Sequence, residues 1–284
     1  MLIFIIIWAV AINWLAFQKG FYQLPKDLKK AELTVSHFQL LASFALYLIL
    51  ALLIAPLFAK FLLFSLHKIN PELFGLPIAL LTGIQCSAMI IVFCLLQSFL
   101  YRQDSILYRR IWKNTDHNPS HPIEFDLGLG ALTWFLSFPI VTILSELIDK
   151  LLKSLGLSFF EQTAVKFVKA AMGSPISIVF ALLSVLVLAP LIEEFLFRGL
   201  LQTYFKKRLG ARAAILLSAF FFSLFHFSPS QGFGNVSLIL SLFLLGGYLG
   251  FLYERQGSLW APIGLHMTFN TVSALRIVFF PEAS

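Results

Sequence analysis

Residues 175–205 read PISIVFALLSVLVLAPLIEEFLFRGLLQTYF. A helix of roughly 20 apolar residues crosses a hydrocarbon core of about 30 Å, and this run is long enough to do so. Yet Glu193, Glu194 and Arg198 lie well inside it. Ionisable groups are expensive in hydrocarbon, so those that enter it stand as functional candidates. Glu194 and Arg198 are four residues apart and share a helix face, so they can pair. Glu193 is turned about 100° from Glu194, toward a different neighbour. Pro190, three residues upstream, frees a carbonyl and kinks the axis, which membrane proteins tolerate beside cavities.

The remainder of the chain has the same solvent preference. Of 284 residues, 59% are hydrophobic and only 12% charged, with a mean hydropathy of +0.87. A soluble domain of this length needs far more charge to cover its surface. Hydropathy predicts an all-α, polytopic membrane helix bundle of about eight spans, near 1–18, 38–66, 77–101, 127–148, 175–205, 211–228, 235–253 and 259–280. Polar breaks at Asn70-Pro71, Asn118-Pro119 and Ser228-Pro229 punctuate the runs as loops do. Two parts are expected: N-terminal transmembrane helices over 1–174 and a C-terminal core of helices over 175–284 that carries the functional candidates. No internal repeat is visible.

The net charge of +7 follows from the positive-inside rule rather than from nucleic-acid binding, because Lys and Arg sit in short loops between apolar runs. The odd-numbered loops carry thirteen of them and the even-numbered side seven. Odd loops are therefore expected in the cytoplasm and both termini outside it. Met1–Phe17 lacks a basic leader and a small-residue cleavage site, and reads as a retained first helix. Cys86 and Cys94 lie eight residues apart in one run and cannot bridge within that helix.

The other polar groups at membrane depth are His226, His266 and Asn270. All fall in the last third of the chain. A turn at Leu209-Gly210, marked by Lys206-Lys207-Arg208, makes a hairpin of the fifth and sixth spans. Glu193 lies sixteen residues before Leu209 and His226 sixteen after Gly210. At 1.5 Å per residue both are about 24 Å from the turn, hence at one depth. His266 and Asn270 share a face of the last helix. His117 and His121, beside Pro119 and Pro122, read as solvated loop residues. Gly246 and Gly250 read as a packing pair that lets helices approach.

A carboxylate and an imidazole at one depth can activate water, and His266 and Asn270 can donate to a developing oxyanion. A second arrangement uses Glu193, His226 and His266 as a zinc site with an open position, so zinc is the candidate cofactor and no other is implied. Each residue alone has a plainer reading: a Glu-Arg pair locks helices, and a lone intramembrane His bonds a backbone carbonyl. The chain has no H-E-x-x-H, no G-x-S-x-G and no aspartate pair within apolar runs.

Three motifs in order resemble a known family. Glu193-Glu194-Phe195-Leu196-Phe197-Arg198 is similar to E-E-x-x-x-R, Phe222-Ser223-Leu224-Phe225-His226 to F-x-x-x-H, and His266-Met267-Thr268-Phe269-Asn270 to H-x-x-x-N. With Pro190 and the run Gly257-Ser258-Leu259-Trp260-Ala261-Pro262, they resemble the CPBP family of CAAX proteases and bacteriocin-processing enzymes over roughly 178–272. The resemblance implies an intramembrane endopeptidase. In it Glu193 and His226 activate water, His266 and Asn270 form the oxyanion site, and Glu194 and Arg198 support both. It leaves open whether the enzyme is glutamate- or metal-dependent. The implied partners are a peptide or protein substrate, lipidated ones included, and membrane lipid. The compact loops and the absence of organelle signals lead to the expectation of a bacterial plasma-membrane protein. The competing readings are a non-catalytic scaffold or bacteriocin self-immunity protein, and a proton-coupled transporter.

Overall fold

A computed structural model describes residues 2–24, 33–69, 78–113, 121–157 and 160–280 of the chain. The Asn70-Pro71 and Asn118-Pro119 breaks, His117, and Lys26, Lys29 and Lys30 of the first loop lie outside the described residues. The described chain is helical, without a strand. In order the helices are α1 (Leu2–Gln18), α2 (37–69), α3 (Ile78–Gln103), α4 (Ser105–Trp112), α5 (Ile123–Ser154), α6 (Thr163–Ala171), α7 (Pro175–Leu209), α8 (Ala211–Leu224), α9 (Gly234–Gln256) and α10 (Trp260–Phe279).

Each expected apolar run holds a helix. Among the described residues five stretches are long and apolar enough to cross a membrane: His37–Leu66, α3, α5, α7 and α9. The lipid-facing character is visible on their surfaces and on α1, where Phe4 is 78% exposed, while Phe61 on α2 is 66% exposed. Apolar area of this extent has no counterpart on a soluble monomer. The chain is an integral membrane protein.

Where boundaries differ from hydropathy, local chemistry explains it. Helix α5 starts four residues earlier than expected, after Pro122, and its first turn carries Glu124 and Asp126, which favour a helix N-terminus. Helix α8 ends at Leu224, four residues early, because the chain must turn ahead of Ser228-Pro229. Helix α4 escaped hydropathy because it is short and polar. It is nucleated by Asp104, whose Oδ1 accepts from the Leu107 N–H at 2.8 Å. Gly210 closes α7 and opens α8 with φ +80°, a conformation only glycine adopts cheaply, and its N–H bonds Lys206 O at 2.9 Å.

Two of the long helices widen ahead of a proline, whereas α5 stays α-helical through Pro139. Ile49–Ile54 precedes Pro56 and Ser184–Leu188 precedes Pro190, and both are π-helical. Proline has no N–H, so the turn before it opens until another donor spans five residues. Thus Ala55 donates to Leu50 O and Ala189 to Ser184 O. A third wide stretch, Phe195–Gln202, follows the glutamates and is buried throughout.

The described residues cluster into two compact units, each assembled from separate segments. The first comprises Met1–Val35, Arg109–Thr163 and Glu194–Phe269; the second comprises Ser36–Tyr108, Ala164–Glu193 and Asn270–Ser284. In the first, α5 and α10 meet backbone to backbone. A Cβ on Gly130 would lie 2.0 Å from Ala261 O, and one on Gly264 would lie 2.3 Å from Leu127 O. Lipid offers no hydrophobic drive for helix association, so such close approach is what holds the pair. Gly264→Ala is expected to cost about 3 kcal/mol, because rigid backbone cannot yield to the new methyl. A melting temperature equal to wild type in detergent would contradict this. In the second unit, Ser36 and Gln39 form a reciprocal cap that starts α2, with bonds of 3.1 and 2.8 Å.

Candidate active site

The first unit contains Glu194, Arg198, His226 and His266. Glu194 and Arg198 are fully buried. They pair as their spacing allows, with Arg198 Nη1 donating to Glu194 Oε1 at 3.0 Å. The same carboxylate oxygen lies 2.7 Å from His266 Nδ1. A carboxylate accepts, so His266 donates from Nδ1, and the bond fixes its tautomer and ring plane. His266 is itself only 5% exposed. The approach of Gly264 to α5 therefore sets the height of a ring two residues further along α10.

Arg198 has two further partners on neighbouring helices. Its Nη2 donates to Gly246 O at 3.3 Å, and its guanidinium lies 4.3 Å from the Phe222 ring centroid. Gly246 permits this: a Cβ there would sit 3.0 Å from Ala219 and 3.3 Å from Arg198 Nη2. The Phe222 ring also meets both imidazoles edge-on, at 4.9 Å for His226 and 5.8 Å for His266. One aromatic ring thus touches the arginine and both histidines.

His226 stands in the turn after α8, two residues beyond its last helical residue, and is half-buried. Its Nδ1 lies 2.8 Å from Phe222 O. A carbonyl only accepts, so the ring donates from Nδ1 and keeps Nε2 as its basic nitrogen. The orphan carbonyls of a helix end thus select the tautomer a general base needs.

Behind this group runs a polar ladder at strides of four. Gln202 Nε2 donates to Gly250 O at 2.9 Å and to Glu254 Oε1 at 3.0 Å, and Lys206 Nζ reaches Glu254 Oε2 at 2.6 Å. Glu254 is only 3% exposed. Local hydropathy places Glu254 at a helix end, and its burial comes from residues about fifty positions away. Gly250 joins the ladder by its carbonyl, as Gly246 does, so the glycine pair serves packing and polar anchoring together.

The second unit contains Glu193 and Asn270. Glu193 is half-buried, and Tyr47 on α2 stands within its electrostatic reach. Tyr47 had no motif to mark it. Asn270 Nδ2 donates to Val185 O at 2.9 Å. His121 stacks on Phe125, in the first turn of α5, at 4.2 Å between centroids. Among the described residues no three His, Cys, Asp or Glu side chains form a group suited to a metal ion.

The buried carboxylate and guanidinium belong to E-E-x-x-x-R, the buried imidazole to H-x-x-x-N and the half-buried His226 to F-x-x-x-H, and the comparison with known proteins falls on the same stretch. Residues 175–272 match the family described as type II CAAX prenyl endopeptidase Rce1-like. An uncharacterized 24.3 kDa protein of Escherichia coli is 33% identical over 98 residues, covering 34% of this chain and 44% of that relative. The chain therefore spans less than half the length of the relative it matches. No solved structure matches it. Over residues 175–272 the chain thus matches the family described as Rce1-like type II CAAX prenyl endopeptidases.

Proposed function

We propose that this protein is an intramembrane endopeptidase whose active site lies among its C-terminal helices, in a core over 175–284. Glu193 is the general base. With His226 it takes a proton from a water whose oxygen attacks the peptide carbonyl carbon, and the proton then passes to the leaving amine nitrogen. His266 and Asn270 donate to the oxyanion that forms. Glu194 and Arg198 do no proton transfer: they hold His266. The observation that carries this reading is the buried Arg198–Glu194–His266 chain, with bonds of 3.0 and 2.7 Å. A helix lock needs the first bond and not the second. An imidazole anchored through Nδ1 to a buried carboxylate is the arrangement that aims a ring at a reacting group.

The substrates are membrane-associated peptides or proteins of the CAAX type, lipidated ones included, because the residues that match the family match over all three motifs. Eight spans, both termini outside the cytoplasm and a bacterial plasma membrane complete the proposal. The test is cleavage of a peptide library containing prenylated members by the detergent-purified protein, with wild type, Glu193→Gln and a chelator compared. Product from wild type alone, unaffected by chelation, is expected. Loss on chelation with recovery by zinc would replace the glutamate mechanism with a Glu193, His226 and His266 metal site. A cellular phenotype that survives Glu193→Gln would point to the scaffold or self-immunity role.

His266→Ala is expected to lower turnover by about 10²–10³-fold, the scale for loss of one oxyanion donor. Single-turnover cleavage with saturating peptide checks it, since substrate binding should change much less than the rate.

A further inference from the structure

The wide turn in the first half of α7 and the side chain of Asn270 belong to one unit and answer one another. Ala189 donates to Ser184 O across five residues. In that register the next donor is the N–H of residue 190, and Pro190 has none. The carbonyl it would have reached is Val185 O. Asn270 Nδ2 donates to that oxygen at 2.9 Å. A buried backbone carbonyl without a donor is costly, and an asparagine amide replaces a backbone N–H in kind.

The consequence falls on Glu193. A π turn takes in one residue more than an α turn, so everything after it is rotated by about 100° from an uninterrupted helix. Glu193 begins three residues beyond Pro190. The face on which its carboxylate emerges is therefore set by whether the turn stays wide.

We propose that Asn270 is a positioning residue: by donating to the Val185 carbonyl that Pro190 leaves without a donor, it holds the wide turn open and fixes the direction of Glu193. One amide hydrogen is committed to this bond and the other serves the oxyanion. The inference rests on the peptidase reading only for Glu193's importance, while the turn itself can be tested without catalysis.

Two measurements on the full-length protein in detergent test it. The first is a melting cycle over wild type, Asn270→Ala, Pro190→Ala and the double variant. Residue 190 regains an N–H in Pro190→Ala, so Asn270→Ala should lower the melting temperature by several degrees beside proline and hardly at all beside alanine. An Asn270→Ala protein that folds only in the Pro190→Ala background gives the same answer in stronger form. Equal losses in both backgrounds, or failure to fold in both, would overturn the clamp. The second is the rate at which dicyclohexylcarbodiimide labels Glu193, read by peptide mass spectrometry. Asn270→Ala should change that rate severalfold, because the carboxylate then emerges on a different helix face, and leave Glu146 unchanged. An unaltered Glu193 rate in a protein that shows the coupling would overturn the positioning role. Neither readout needs turnover. A wild type that cleaves nothing would count against the peptidase reading and leave both results to decide the clamp.

Discussion

Glu193→Gln is expected to reduce peptide cleavage by about 10²–10⁴-fold, the range ascribed to a positioned general base, with no loss of helix content or melting temperature. The amide has nearly the carboxylate's shape, so packing is kept. What it loses is the capacity to accept a proton from water. The comparison should be made on protein judged folded by circular dichroism, using a fixed peptide and single-turnover conditions. A variant that retains more than a tenth of wild-type turnover would remove Glu193 from the role of base. The competing scaffold reading predicts no change at all, so the two readings differ by orders of magnitude.

Glu194→Ala should have the largest effect on stability, about 3–5 kcal/mol, because it leaves Arg198 charged and fully buried without its carboxylate. The carbonyl of Gly246 and the Phe222 ring remain, and neither carries a charge. Replacing both partners, as in Glu194→Leu with Arg198→Met, removes the buried charges together and should recover most of that stability. Activity should not return with it, since His266 has lost the oxygen that holds its Nδ1. Thermal melts and cleavage assays on the three proteins separate the two effects. If the double variant cleaves at the wild-type rate, Glu194 and Arg198 act only as a lock between helices, and His266 is oriented by other groups.

The match between reading and structure can be followed residue by residue. Hydropathy located the long helices because lipid imposes one rule on every residue of a span, and a rule obeyed locally is visible locally. The Glu194–Arg198 pair was legible for a similar reason: both residues lie on one helix, four apart. The Leu209-Gly210 turn was legible from a glycine and a basic cluster. By contrast, His226 was read as part of a helix and stands beyond its end, because Ser228-Pro229 stops α8 earlier than hydropathy alone requires. Tyr47 carries no charge and belongs to no motif, so nothing in the chain's local chemistry singled it out, while Phe222 was marked only as the first residue of F-x-x-x-H and not as a partner of Arg198 and His266.

By itself the sequence determined that this protein lies in a membrane, that it is helical, and which few ionisable residues are placed at an energetic cost inside apolar runs. Those are properties of single segments, fixed by the transfer energy of each side chain. Only the tertiary structure decided that Glu194 holds His266 as well as Arg198, that Glu254 is buried against Gln202 and Lys206, and that Asn270 answers the carbonyl freed by Pro190. Each is a bond between groups some fifty to eighty-five positions apart. Such a bond depends on which helix faces meet, and that is set by close contacts such as those of Gly130, Gly246 and Gly264, which a hydropathy profile does not contain.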